Sequence, residues 1–129
     1  MATFYLYIAA GGALGALARY GLAGWVHAWS GSGFPWGTFT VNLTGAFLLG
    51  LVARLLTGLA ATPSVRAFAV IGFLGAFTTF STFSYETAAL LRDGEWLPGF
   101  AYAAGSVLLA LVGTFLGLGL AETILRQGG

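Results

Sequence analysis

A chain of 129 residues that is 58% hydrophobic and only 7% charged, with a mean hydropathy of +0.90, is too poor in charge for a soluble domain of its size. Its net charge of +1 excludes electrostatic nucleic-acid binding, the lack of cysteine excludes disulfide and thiolate chemistry, and a single histidine, His27, excludes a histidine-rich metal site. What remains is one small all-α integral membrane domain over residues 1–129, with membrane lipid around it. The N-terminus carries no basic stretch and its apolar run does not stop, so no cleavable signal peptide is expected.

The first span covers about residues 3–25. Gly11, Gly12 and Gly15 give it a GxxxG-type face for close helix contact. Arg19 interrupts this span, yet the apolar pattern continues to Val26. The guanidinium therefore either snorkels toward a helix end or is held within the protein. A charge held inside must be paired or hydrogen-bonded, which makes Arg19 a functional-site candidate. Residues 28–37, AWSGSGFPWG, predict a turn, with Trp25, Trp29 and Trp36 as interfacial anchors and His27 beside them.

A second span covers residues 38–56. It contains Asn42, the only amide side chain inside any span, together with Thr38, Thr40 and Thr44. Asn42 has two uses open to it: gluing helices together, or presenting its NH₂ group as a neutral donor to an anion. Arg54 closes the span, and residues 57–64, with Pro63, predict a short loop.

The third span lies in the uncharged run 67–85, bounded by Arg66 and Glu86, which as a helix would be about 28 Å long at ~1.5 Å per residue. Within it, residues 72–84 read GFLGAFTTFSTFS. Thr78, Thr79, Ser81, Thr82 and Ser84 place five hydroxyls within seven residues, where a lipid-facing helix would carry Leu, Ile and Val. Gly72 and Gly75 followed by the β-branched pair Thr78 and Thr79 favour a backbone other than helix. The stretch predicts a helix broken at mid-membrane. Such a break is tolerated at depth only where protein or a watery cavity satisfies the freed backbone groups, and it marks a transport site. Beyond it, Phe80, Phe83 and Glu86 share a helix face, with Ser81 and Ser84 on a neighbouring one and Thr82 near Glu86. Aromatic residues at this spacing usually form core; their alternation with hydroxyls favours a lining.

Residues 92–95, RDGE, form a polar turn. The fourth span covers residues 96–122 and is long enough to tilt. Its polar residues are Tyr102, Ser106 and Thr114, while Gly113, Gly117 and Gly119 offer a smooth packing surface. Four spans put both termini on one side, with Arg54, Arg66 and Arg126, against Arg92 on the other. That bias is weak, so it permits insertion in both orientations and an antiparallel dimer. A pathway of amide, hydroxyl and ring edges, neutral apart from Arg19 and Glu86, leans toward a small, strongly hydrated anion, because a cation route would more often show carbonyl or acidic rings.

These residues resemble the Fluc fluoride channels, also called CrcB proteins, over essentially the full chain. The motifs are GGALGALARY at 11–20, GTFTVNLTGAFLLG at 37–50 and GFLGAFTTFSTF at 72–83. The resemblance implies a multi-pass protein of the cell inner (plasma) membrane that is not an enzyme. It also implies an antiparallel, dual-topology homodimer with two pores that would export fluoride down its gradient. Asn42 would be the pore amide, Phe80 and Phe83 the ring pair facing fluoride, and Ser81 and Thr82 part of the hydroxyl lining. Thr38 and Arg19 would belong to the aqueous access and Glu86 to the far part of the pathway, with Tyr102, Ser106 and Thr114 contributed by the fourth span. One departure is visible at Ala110, where family members often carry a hydroxyl.

A helix stopped near residues 75–78 also leaves carbonyls unpaired, and two such breaks crossing at a twofold axis would gather the Gly75 and Thr78 carbonyls around one point. A small cation would satisfy them, and the resemblance implies a central structural Na⁺; a buried water is the alternative. The alternative function is a small dual-topology proton-coupled exporter of cationic drugs. It needs a membrane-embedded carboxylate, whereas the first span has none and Glu86 lies near the end of the third. A purely structural membrane subunit would account for the length and the glycine faces but not for the hydroxyl cluster.

Overall fold

In hydrocarbon no water is available to bond a peptide group, so an apolar chain must close its own hydrogen bonds, which a helix does within one segment. The computed structural model describes every residue except Ser32, and the described residues are helical apart from short links. Helix α1 runs Ala2–Ser30 and α2 runs Trp36–Gly58. The third span is built from α3 (Pro63–Arg66), a π-helical segment (Ala67–Leu74), α4 (Gly75–Phe77) and α5 (Phe80–Arg92), and α6 runs Trp96–Gln127. Four stretches, Ala2–Ser30, Trp36–Gly58, Pro63–Arg92 and Trp96–Gln127, are long and apolar enough to cross a membrane. The chain is a multi-pass membrane protein.

Helix α1 continues beyond its expected end at residue 25. Trp25 and Trp29, four apart on one face, meet edge to face with ring centroids 6.2 Å apart. The helix stops before Gly31, whose φ of 77° few other residues adopt at ease. Because α2 already begins at Trp36, the turn expected over 28–37 is shorter at both ends. Thr62 caps α3 by accepting from the Val65 N–H, with Pro63 as the first helical residue. Helix α6 outruns its expected end at residue 122, where Glu122 lies 3.7 Å from Arg54 and 3.9 Å from Arg126.

The third span departs most from a plain helix. Thr78 (φ −86°, ψ 156°) and Thr79 (φ −147°, ψ 116°) are extended, and they join α4 to α5. The π-helical turns before this step were not foreseen in the sequence. Wide turns of this kind recur at functional sites.

Small residues set the helix spacing. Helix α1 lies against the π-helical segment, where a β-carbon at Gly11 or Gly15 would collide with the carbonyls of Phe68 or Phe73. Helix α2 lies against α6 in the same way, with Gly50 facing the Thr114 carbonyl and Gly117 the Phe47 carbonyl. Backbone cannot yield as a side-chain tip does. Gly15→Val is therefore expected to destabilise the fold by about 1–3 kcal/mol or more, read as a lower melting point in detergent. Gly119→Val, with nothing within 4 Å of its β-carbon, is the control. Equal melting of the two variants would contradict this close packing.

Candidate functional site

The site is built around Thr79. Its extended backbone begins α5, and its hydroxyl accepts from the Thr82 N–H at 3.2 Å and donates to the Thr82 hydroxyl at 3.0 Å. The Ser81 hydroxyl lies 3.3 Å from the same oxygen. This cap leaves the Phe80 and Ser81 N–H groups without partners among the described residues, at the positive end of α5.

Asn42 reaches this point from α2. Its Oδ1 accepts the Thr79 N–H at 2.7 Å, and its Nδ2 donates to the Thr79 carbonyl at 2.9 Å. Arg19 reaches the step from α1, its Nε donating to the Ala76 carbonyl at 3.1 Å. No carboxylate pairs with Arg19 among the described residues, although Glu86 lines the same cavity.

Glu86 holds two hydroxyls. Thr38 donates to Oε1 at 2.7 Å and Tyr102 to Oε2 at 3.0 Å. The two bonds, the Thr38 one the shorter, tie α2, α5 and α6 together. The fully buried Tyr102 ring meets Phe83 edge-on at 5.2 Å and Phe34 at 5.3 Å, and Phe83 in turn lies 5.6 Å from Phe80.

Two open cavities result. One, of about 780 Å³, is lined by Arg19, Thr38, Thr82 and Glu86, with His27 and Asp93 further along it. The other, of about 280 Å³, is lined by Asn42, Thr78, Phe80, Phe83, Ser106 and Thr114, with Ala110 between the last two. Thr79 lines both. The Ser106 hydroxyl is buried and has no partner among the described residues. Thr114 already donates to backbone, its hydroxyl lying 3.0 Å from the Ala110 carbonyl and 3.3 Å from that of Ala46.

Of the residues singled out from sequence, Arg19, Thr38, Thr82 and Glu86 thus share one cavity, and Asn42, Thr78, Phe80, Phe83, Ser106 and Thr114 the other. Ser81 and Gly75 are exposed and line neither, and Tyr102 lines neither but donates a hydrogen bond to Glu86. Thr79 went unassigned in the sequence. Its place as the cap of α5, three residues before Thr82, was the available signal.

Apolar helices around polar recesses, with an unpaired arginine and a tethered glutamate inside, define a helical membrane protein built for transport. The chain belongs to the family described as CrcB-like protein, Camphor Resistance (CrcB), which matches residues 6–118. It is 52% identical over 113 residues to the fluoride-specific ion channel FluC of Thermus thermophilus, covering 88% of this chain and 89% of that one. It is 54% identical over 112 residues to the FluC of Geobacter metallireducens, covering 86% and 90%. With the FluC of Geotalea uraniireducens the identity is 51% over 120 residues, covering 92% and 97%.

Proposed function

We propose that this chain forms a fluoride-selective channel in the plasma membrane, passing fluoride down its gradient without enzymatic chemistry. The observation that carries the reading is the recess lined by an amide, hydroxyls and two phenyl rings, on a chain whose relatives bear the name fluoride-specific ion channel. Fluoride gives up water at great cost, and neutral donors with positive ring edges replace that water without trapping the ion. In this reading Asn42, Phe80, Phe83, Ser106 and Thr114 line the path, with Ser81 and Thr82 beside them. Arg19 draws anions into the cavity that it shares with Thr38 and Glu86. The 2.7 Å bond from Thr38 to Glu86 puts these two at the same end of the path rather than at the access and the far part, with Tyr102 on the other carboxylate oxygen. Relatives named as fluoride channels lend no support to the drug-exporter alternative.

The finer reading is an antiparallel, dual-topology homodimer of the single domain at residues 1–129, with the Thr78–Thr79 step at mid-membrane depth. The exposure of Phe80, Ser81, Ser84, Tyr85 and Tyr20 in one protomer supports it, since both recesses stand open beside residues that a second copy would cover. The carbonyls of Gly75 and Thr78 have no hydrogen-bond donor among the described residues, which suits a structural Na⁺ held between two copies. The ion would supply positive charge to oxygens that nothing else satisfies.

Liposomes carrying the purified protein are expected to release fluoride with no proton requirement, and a cysteine placed at either terminus is expected to label from both sides. Drug-driven proton exchange without fluoride release would overturn the channel reading. Labelling from one side alone would overturn dual topology and leave the channel standing.

A further inference from the structure

We propose that Asn42 and Arg19 are positioning residues that clamp the extended step of the third span from two sides and thereby decide which of its carbonyls stay free. Over this step the i to i+4 ladder is lost. The N–H of Thr79 goes to Asn42, those of Phe80 and Ser81 have no partner among the described residues, and that of Thr82 goes to the Thr79 hydroxyl. The carbonyls of Gly75, Ala76, Phe77 and Thr78 are therefore released together.

The releases are not equivalent. Arg19 takes the Ala76 carbonyl at 3.1 Å. Asn42 engages both backbone groups of Thr79, at 2.7 Å and 2.9 Å, as a neighbouring β-strand would engage an extended residue. Gly45, one turn further along α2, lets the helix approach, because a β-carbon there would strike the Thr78 side chain. What remains free is Gly75, Phe77 and Thr78. The Asn42 oxygen and one of its N–H bonds are thus committed to backbone, so at most one N–H is left for a passing anion. The clamp holds whichever ion passes and does not rest on the fluoride reading.

Backbone amide exchange tests it in lipid bicelles free of fluoride. In the unmodified protein the Thr79 amide is expected to be protected while those of Phe80 and Ser81 exchange fast. Asn42→Ala is expected to speed Thr79 exchange at least about tenfold, with the amides of α6 unchanged. Infrared spectra with a ¹³C-labelled Ala76 carbonyl are expected to shift to higher frequency in Arg19→Leu and to stay in place in Asn42→Ala. Fast Thr79 exchange in the unmodified protein overturns the Asn42 half even where no variant folds. An Ala76 band unmoved by Arg19→Leu overturns the other half. A residue acting only by touching the anion would change neither readout without fluoride, and either failure leaves liposome efflux as a separate result.

Discussion

Fluoride efflux from liposomes carrying Phe80→Ile is expected to fall at least about tenfold, with the assembled protein still intact by size-exclusion chromatography. Phe80 is 78% exposed in the protomer, so shortening it removes little packing within one chain. What it removes is an aromatic ring lining the recess that holds Asn42 and Ser106. Isoleucine keeps the bulk and loses the quadrupole, which isolates the electrostatic contribution. Phe83 is the poorer probe: it is buried against Tyr102, so its truncation also loosens the core. Unchanged efflux in Phe80→Ile would place the path elsewhere.

Glu86→Ala is expected to destabilise the protein by about 2 kcal/mol or more, because two buried hydroxyls lose their acceptor together. Tyr102 is fully buried and lines neither cavity, so its hydroxyl is the one left stranded, while Thr38 borders the open cavity. Glu86→Gln keeps a carbonyl oxygen in place and is expected to cost less than half as much. Adding Tyr102→Phe to Glu86→Ala removes one stranded hydroxyl and is expected to restore part of the loss, as a double-mutant cycle of melting points would show. Strict additivity of the two changes would mean that the tyrosine and the glutamate do not act as a pair.

The place of the extended step was legible because its cause is local. Two glycines and two adjacent threonines weaken a helix wherever they fall, and the step lies at that threonine pair. The glycine faces were legible for a similar reason, since a missing β-carbon needs no partner to be noticed. The ends of α1 and α6 were placed too early because helix length there depends on contacts beyond the apolar run: the Trp25–Trp29 pair and the charges around Glu122. The π-helical segment had no sequence signal of its own. Its widened turns lie where the backbone of α1 presses against Gly72.

By itself the sequence determined a membrane protein with four helices long and apolar enough to span, a third one that departs from plain helix at its threonine pair, and membership of a channel family. Each of these rests on properties that a segment carries alone: apolar length, local helix propensity and motif order. Only the tertiary structure decided the partners. Arg19 meets a carbonyl 57 residues away, Asn42 meets the backbone of a residue 37 away, and Glu86 collects Thr38 from 48 away. Apolar patterning says which side of a helix faces inward but not which donor faces which acceptor across the gap. A hydrogen bond needs its atoms within a few tenths of an ångström, and helix packing sets that distance.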